Sequence, residues 1–170
     1  MSRMPARALA VTRPIILGLT VLNLLYLLSV IALFCGSFFI EDWPWKPLGL
    51  DLATLDPQVP LGMRAIMLIG IVGAAIVHTI LRRLLAIIDT VRSGDAFVRA
   101  NAQRLNVIAW SVLAVELLRL AVLAITKLTS IPGQMDGFSP TPWLAVVLLF
   151  VLSGVFSHGA RMRTDLEGTV

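Results

Sequence analysis

Residues 15–40 read IILGLTVLNLLYLLSVIALFCGSFFI, a run of 26 residues without one charged side chain. A helix of about 20 mostly apolar residues crosses the roughly 30 Å hydrocarbon core of a bilayer. Three further apolar stretches follow at 63–88, 105–128 and 143–160. Apolar and polar residues do not alternate in these runs, as they do in the strands of a membrane barrel. In lipid, the backbone N–H and C=O groups must also form their hydrogen bonds within their own segment. Each stretch is therefore predicted to be a transmembrane helix.

The composition of the whole chain agrees with this prediction. Of its 170 residues, 58% are hydrophobic and 14% are charged, and the mean hydropathy is +0.89. Soluble proteins are roughly 45–50% apolar and about 25% charged. The segments outside the four spans are too short to fold as a catalytic or DNA-binding domain. We predict an all-α integral membrane bundle of four transmembrane helices, one domain over residues 1–170 with no separate soluble domain.

The basic residues are divided unequally between the two sides of these helices. Lys46, Arg64 and Lys127 lie on one side, Arg119 lies within the third span, and the other ten lie on the opposite side. Cytoplasmic segments carry the excess of Lys and Arg in membrane proteins. Both chain termini and the middle loop are therefore predicted to be cytoplasmic. The ten residues are Arg3, Arg7, Arg13, Arg82, Arg83, Arg92, Arg99, Arg104, Arg161 and Arg163.

The middle loop contains signals that end one helix and begin another. Ser93-Gly94 is typical of the end of a helix, because glycine readily adopts the left-handed conformation found there. Asp95 follows, and aspartate is a favoured N-cap residue. We expect Asp95 to cap a helix that begins at Ala96 and continues into the third span.

Several polar residues lie at the depth of the membrane centre. A charge there costs about 2.5–3.5 kcal/mol on insertion scales. Glu116 and Arg119 are three residues apart, on one helix face where they can pair. At 1.5 Å per residue, Asn23, Tyr26 and His78 lie at a similar depth in their own spans. We predict that these five residues form one intramembrane polar cluster. The cluster either serves packing alone or contains a proton-active pair, Glu116 and His78.

Motifs of enzymes and of metal or haem proteins are missing from the sequence. It contains no glycine-rich phosphate loop, no His-Glu-x-x-His and no Gly-x-Ser-x-Gly. The two histidines, His78 and His158, are expected to differ in depth by about 12 Å. With the single Cys35, they do not form a recognisable set of metal ligands. We therefore predict no enzymatic activity, no cofactor and no metal.

Two pairs of small residues have a spacing that permits close helix packing. Gly70 and Ala74 form one pair, and Ser153 and Ser157 form the other. Small residues four positions apart let two helix backbones approach each other. The contacts are either between helices of one chain or between chains of a homo-oligomer.

Two stretches of the sequence carry a family resemblance. One is SGDAFV at 93–98, followed by Asn101-Ala102 and Arg104-Leu105, and the other is GARMR at 159–163, followed by DLEGTV at 165–170. Over roughly residues 65–170 the chain resembles a family of small bacterial membrane proteins, domain of unknown function number twenty-nine seventy-five. The resemblance implies a four-span protein of the bacterial inner membrane. It brings no established reaction, so it assigns no catalytic residue.

Members of this family are often encoded beside a very small helix-turn-helix regulator. This implies a hypothesis in which the middle loop and the C-terminal tail bind that regulator and hold it at the membrane. The residues expected on the loop side are Asp95, Phe97, Asn101 and Arg104, and those on the tail side are Arg161, Arg163, Asp165 and Glu167.

Other interpretations of the same residues remain open. Asp95 could serve only as a cap, and Glu167 could pair with Arg99 or Arg104 to join the tail to the loop. The basic surface could simply attract anionic lipid headgroups. Direct nucleic-acid binding is not expected, because Phe97 is the one aromatic residue among these charges. The competing function is a small transporter or channel subunit that uses the intramembrane polar cluster.

Overall fold

The computed structural model describes residues 4–39, 43, 46, 58–129 and 139–167, with side chains from residue 12 to residue 163. These residues form four helices: α1 (Met4–Phe39), α2 (Gln58–Arg92), α3 (Arg99–Leu128) and α4 (Thr141–Glu167). Each is long and apolar enough to cross a membrane. The prediction of an all-α multi-pass membrane protein with four spanning helices is confirmed.

The helices are longer than the predicted spans, and prolines mark where they extend. Pro60 and Pro142 lie in the first turns of α2 and α4, outside the predicted spans. The first N–H groups of a helix have no partner within it, so proline is tolerated there. Pro14 lies within α1, which begins ten residues before it.

The four helices pack in the order of the chain. α1 contacts α2, α2 contacts α3, and α3 contacts α4. Within the described ranges, α1 and α4 do not contact each other. The bundle is therefore open, and one face of α2 lies between α1 and α3 without a further helix covering it.

Apolar packing and polar contacts hold α1 against α2, among them an ion pair of Arg13 with Asp89 at 3.5 Å. Ile16, Leu81 and Ile88 form a buried cluster near one end. Near the other end, Arg64 of α2 donates hydrogen bonds to the hydroxyl and the carbonyl oxygen of Ser37. Its guanidinium also lies 4.4 Å from the ring centroid of Phe38. The last carbonyls of a helix lack partners within it, so Arg64 satisfies the C-terminal end of α1.

The end of α2 has the geometry that the sequence predicts. Gly94 has a φ of 93°, in the left-handed region. Its N–H donates to the carbonyl of Val91 at 3.1 Å, and the N–H of Asp95 donates to that of Thr90 at 3.1 Å. This pair of bonds is a Schellman motif, which uses a glycine to end a helix.

The beginning of α3 differs from the prediction. α3 begins at Arg99 rather than at Ala96, and its N-cap is Val98, which makes no side-chain capping bond. The expectation that Asp95 caps this helix is therefore wrong. The carboxylate of Asp95 instead pairs with Arg163 of α4. Because residues 95–98 are not helical, Phe97 lies in the loop, from which it contacts α4.

Small residues bring neighbouring helices close within the chain. A Cβ on Gly62 of α2 would lie 2.7 Å from Oγ1 of Thr129 at the end of α3. The hydroxyl of Ser153 on α4 donates to the carbonyl of Ala102 on α3 at 2.9 Å. In the Ser153–Ser157 pair, Ser153 thus makes a contact between helices of one chain. Homo-oligomer formation stays a prediction.

Candidate functional site

The loop between α2 and α3 is joined to the last part of α4. The guanidinium of Arg163 donates to Oδ1 of Asp95 at 2.8 Å. The ring centroid of Phe97 lies 5.1 Å from that of Phe156. A Cβ on Gly159 would lie 3.0 Å from Cδ1 of Phe97, so the glycine leaves room for the ring. The two stretches that carry the family resemblance therefore contact each other.

This contact leaves apolar and charged side chains accessible. Phe97 is 47% exposed and Met162 is 60% exposed. The side chains of Asp95 and Arg163 are each about half exposed. We call these four residues the loop–tail surface. A contiguous exposed apolar patch marks an interaction site, whereas a single exposed apolar side chain is common. Met162 is included because it precedes Arg163 directly and lies past the predicted span 143–160. That position is the signal by which sequence reasoning could have included Met162.

Asn101 and Arg104 hold the loop in place from inside the protein. Asn101 is fully buried, and its amide donates to the carbonyl of Ala96 at 3.0 Å. Nη1 of Arg104 donates to Oδ1 of Asn101 and to Oγ1 of Thr90, both at 2.7 Å. It also donates to the carbonyl of Ala86 at 3.1 Å. These bonds connect the beginning of α3 to the end of α2, so both residues position the loop–tail surface from beneath.

Three further residues were predicted on the tail side, and the structure does not place them at the contact with the loop. They are Arg161, Asp165 and Glu167. Arg161 is exposed, but it precedes Arg163 by two residues, about 200° around the helix. Arg163 faces the loop, so Arg161 points to another side of α4. The side chains of Asp165 and Glu167 lie outside the described part of the chain, as does any pairing of Glu167 with Arg99 or Arg104.

The predicted pairing of Glu116 with Arg119 is present in α3. Nη2 of Arg119 lies 2.7 Å from Oε1 of Glu116, and Nε lies 3.1 and 3.0 Å from its two oxygens. Glu116 is buried. A guanidinium that engages both oxygens of a carboxylate forms one of the stronger types of ion pair. The pair neutralises both charges at membrane depth.

Three residues of the predicted polar cluster share one groove. Asn23, Tyr26 and Arg119 line a space of about 370 Å³ between α1, α2 and α3. The amide of Asn23 donates to the carbonyl of Ala74 at 3.0 Å. The hydroxyl of Tyr26 lies over Gly70, 3.2 Å from where a Cβ would be. Gly70 and Ala74, the other small-residue pair, thus serve a contact between α1 and α2.

His78 is not joined to this cluster. Its Nδ1 is buried and makes no hydrogen bond in the described part of the chain. Glu116 is held by Arg119, and no bond connects it to His78 within those residues. The predicted proton-active pair is therefore not formed in this structure. Among the described residues, no three His, Cys, Asp or Glu side chains lie together as metal ligands.

Comparison with protein families identifies the chain. A model of the family described as protein of unknown function (DUF2975) matches residues 6–170. The chain belongs to the DUF2975 family. The match extends over α1, which the sequence resemblance at roughly 65–170 did not include. No curated protein and no solved structure matches this DUF2975 chain.

Proposed function

We propose that this DUF2975 protein uses the loop–tail surface to bind a small cytoplasmic helix-turn-helix transcription regulator and hold it at the membrane. The observation that carries the proposal is the contact between Asp95 and Arg163. It joins two segments 68 residues apart into one surface outside the predicted spans. The distribution of Lys and Arg predicts that this surface faces the cytoplasm, where such a regulator is found.

The chemistry of the surface fits a small protein partner. Phe97 and Met162 are exposed apolar side chains, and the charged Asp95 and Arg163 lie two residues and one residue from them in the chain. Interfaces commonly have an apolar centre within a polar rim, and a few residues carry most of the binding energy. Methionine adapts its shape to a partner, because it has three rotatable bonds. The expected partner face therefore has an apolar patch with polar groups at its edge.

Binding at this surface also suggests how the regulator is released. The ion pair of Asp95 and Arg163 is half exposed, and exposed pairs contribute only about 0–1 kcal/mol. A small shift of α4 against the loop would open it at little cost. The ion pair is closed in one arrangement of the bundle and open in the other. A signal molecule that binds these two arrangements with different affinity would then change the affinity of the protein for the regulator.

Co-purification tests the proposal. The full-length protein is expressed together with a small helix-turn-helix regulator of the kind often encoded beside members of this family, and the membrane protein is captured in mild detergent. We expect the wild type to retain the regulator. Met162→Glu is expected to reduce retention at least tenfold, because it replaces the exposed apolar side chain next to Arg163 with a negative charge. Arg161→Glu is the matched control, since Arg161 faces another side of α4, and it is expected to retain the regulator.

Two results would overturn the proposal. The first is that the wild type retains no regulator. The second is that Met162→Glu and Arg161→Glu retain as much of it as the wild type does.

The competing function, a small transporter or channel subunit, has less support. Transporters of known design bind substrate where helices are interrupted at the membrane centre. The helices described here run without interruption through the level of Glu116 and Arg119. Enzymatic activity is not part of the proposal.

A further inference from the structure

The groove between α1, α2 and α3 has the size of a small-ligand site. Its volume of about 370 Å³ lies within the range of roughly 300–1,000 Å³ that is typical of such sites. Apolar side chains form most of its wall, among them Ile66, Ile69 and Val122. Tyr26 is 51% exposed, and α3 is the one helix that α4 contacts in the described part of the chain. The groove is therefore open towards the surrounding lipid.

Hydrogen-bond donors lie together on the wall of this groove. The hydroxyl of Tyr26 makes no hydrogen bond to any other described residue. A hydroxyl without a partner is costly in hydrocarbon, where no water can replace it. The amide of Asn23 and the guanidinium of Arg119 line the same space. A ligand that offers an acceptor oxygen would satisfy the hydroxyl of Tyr26 at membrane depth.

The charge balance of the groove indicates a neutral ligand. Glu116 already neutralises Arg119 through contacts to both carboxylate oxygens. An anionic ligand would compete with that pair and bring a further charge into the membrane, which is costly. A carbonyl oxygen accepts hydrogen bonds without carrying a charge.

We propose that this groove binds a neutral, lipid-soluble molecule with a carbonyl group, such as a ketone, ester or quinone, which enters from the bilayer. The carbonyl oxygen accepts a hydrogen bond from Tyr26, and the apolar body lies along α2 between α1 and α3. Binding at this site does not depend on the loop–tail surface or on any regulator.

Photolabelling with dodecyl benzophenone tests the proposal, because its ketone is both the acceptor and the photoreactive group. The full-length protein is placed in lipid nanodiscs, irradiated with the probe, digested and examined by mass spectrometry. We expect adducts on residues that line the groove. Tyr26→Phe removes only the hydroxyl oxygen. We expect it to lower labelling about fivefold, which corresponds to the loss of a hydrogen bond worth roughly 1 kcal/mol. Excess dodecyl phenyl ketone is expected to compete, and excess dodecylbenzene is not.

A matched pair of glycine variants distinguishes labelling within the groove from labelling of residues that merely contact lipid. Gly73 lines the groove, and a Cβ there would lie 3.9 Å from Cδ1 of Leu118. Gly73→Leu fills the groove and is expected to abolish labelling. A Cβ on Gly154 of α4 meets nothing within 4 Å, so Gly154→Leu is expected to label as the wild type does. If Gly73→Leu does not fold, Tyr26→Phe alone decides.

The proposal is overturned if adducts spread evenly over lipid-facing residues such as Val147 and Val151 of α4. It is also overturned if Tyr26→Phe labels as strongly as the wild type, or if dodecylbenzene competes as well as the ketone does.

Discussion

Arg163 and Asp95 lie 68 residues apart in the chain and 2.8 Å apart in the structure. Their ion pair joins the last part of α4 to the loop between α2 and α3. Phe97 packs beside the pair on Phe156 and Gly159. The surface proposed to bind a regulator thus exists only where these two segments meet.

The ion pair itself is expected to contribute little to stability. Asp95→Asn removes the charge but keeps the size of the side chain, and both partners are about half exposed. We expect the free energy of unfolding to fall by no more than about 1 kcal/mol. Thermal unfolding of the purified protein in detergent measures this, with Arg161→Gln as the control. A loss above about 2 kcal/mol would show that the pair is a structural element of the fold.

The bonds beneath the loop are expected to matter far more. Arg104→Met removes the donor to Asn101, Thr90 and Ala86, and it leaves the side-chain oxygen of the fully buried Asn101 without that donor. An unsatisfied buried polar group costs about 1–3 kcal/mol. We therefore expect a destabilisation of roughly 2–3 kcal/mol in the same unfolding assay.

Arg83→Met is the matched control for that variant, since Arg83 is exposed on α2. It is expected to change stability by less than about 0.5 kcal/mol. Equal effects of the two variants would contradict the role of Arg104.

The pair of Glu116 and Arg119 is expected to behave as a unit. Glu116→Gln leaves a guanidinium without its counter-charge at membrane depth, and breaking a buried pair costs about 3–5 kcal/mol. Replacing both residues, with Glu116→Leu and Arg119→Met, is expected to return stability to within about 1 kcal/mol of the wild type. The single variants Glu116→Leu and Arg119→Met and their double variant form a double-mutant cycle, which is measured by unfolding in detergent. Additive losses in the double variant would mean that the two residues act separately.

Two glycines within helices are expected to respond in opposite directions. Gly62→Ala places a Cβ 2.7 Å from Oγ1 and 2.8 Å from Cγ2 of Thr129. Such overpacking costs about 1–3 kcal/mol. Gly18→Ala meets nothing within 4 Å, and alanine is the better helix former by up to about 1 kcal/mol. Unfolding of both variants measures the difference, and a stabilised Gly62→Ala would contradict the close approach of α2 and α3.

Local patterns in the sequence were sufficient to predict much of this fold. The four spans follow from apolar length, the end of α2 follows from Gly94, and the pairing of Glu116 with Arg119 follows from their spacing. Each depends on residues close together in the chain. Helix geometry connects such residues directly, so no knowledge of the packing is needed.

Contacts between distant segments could not be predicted in the same way. Asn101 and Arg104 were predicted to face a partner, but they are turned towards Ala96, Ala86 and Thr90. The turn that places them there depends on the non-helical residues 95–98. Similarly, equal depth suggested that His78 would join Glu116. Depth alone does not determine which helix face a residue occupies, and Arg119 already holds Glu116.

The affinity of the purified DUF2975 protein for a small helix-turn-helix regulator of the kind often encoded beside family members tests the central claim most directly. It is measured by fluorescence anisotropy of the labelled regulator, for the wild type, Arg163→Asp, Asp95→Arg and the double variant with the charges exchanged. We predict that each single variant weakens binding by up to about fivefold, because like charges replace an exposed pair worth about 0–1 kcal/mol. In the double variant, the exchanged charges attract each other and hold the loop against α4 again. This variant is predicted to recover most of the affinity for the regulator. Equal binding by the wild type and both single variants, or no binding by the wild type, would contradict the account.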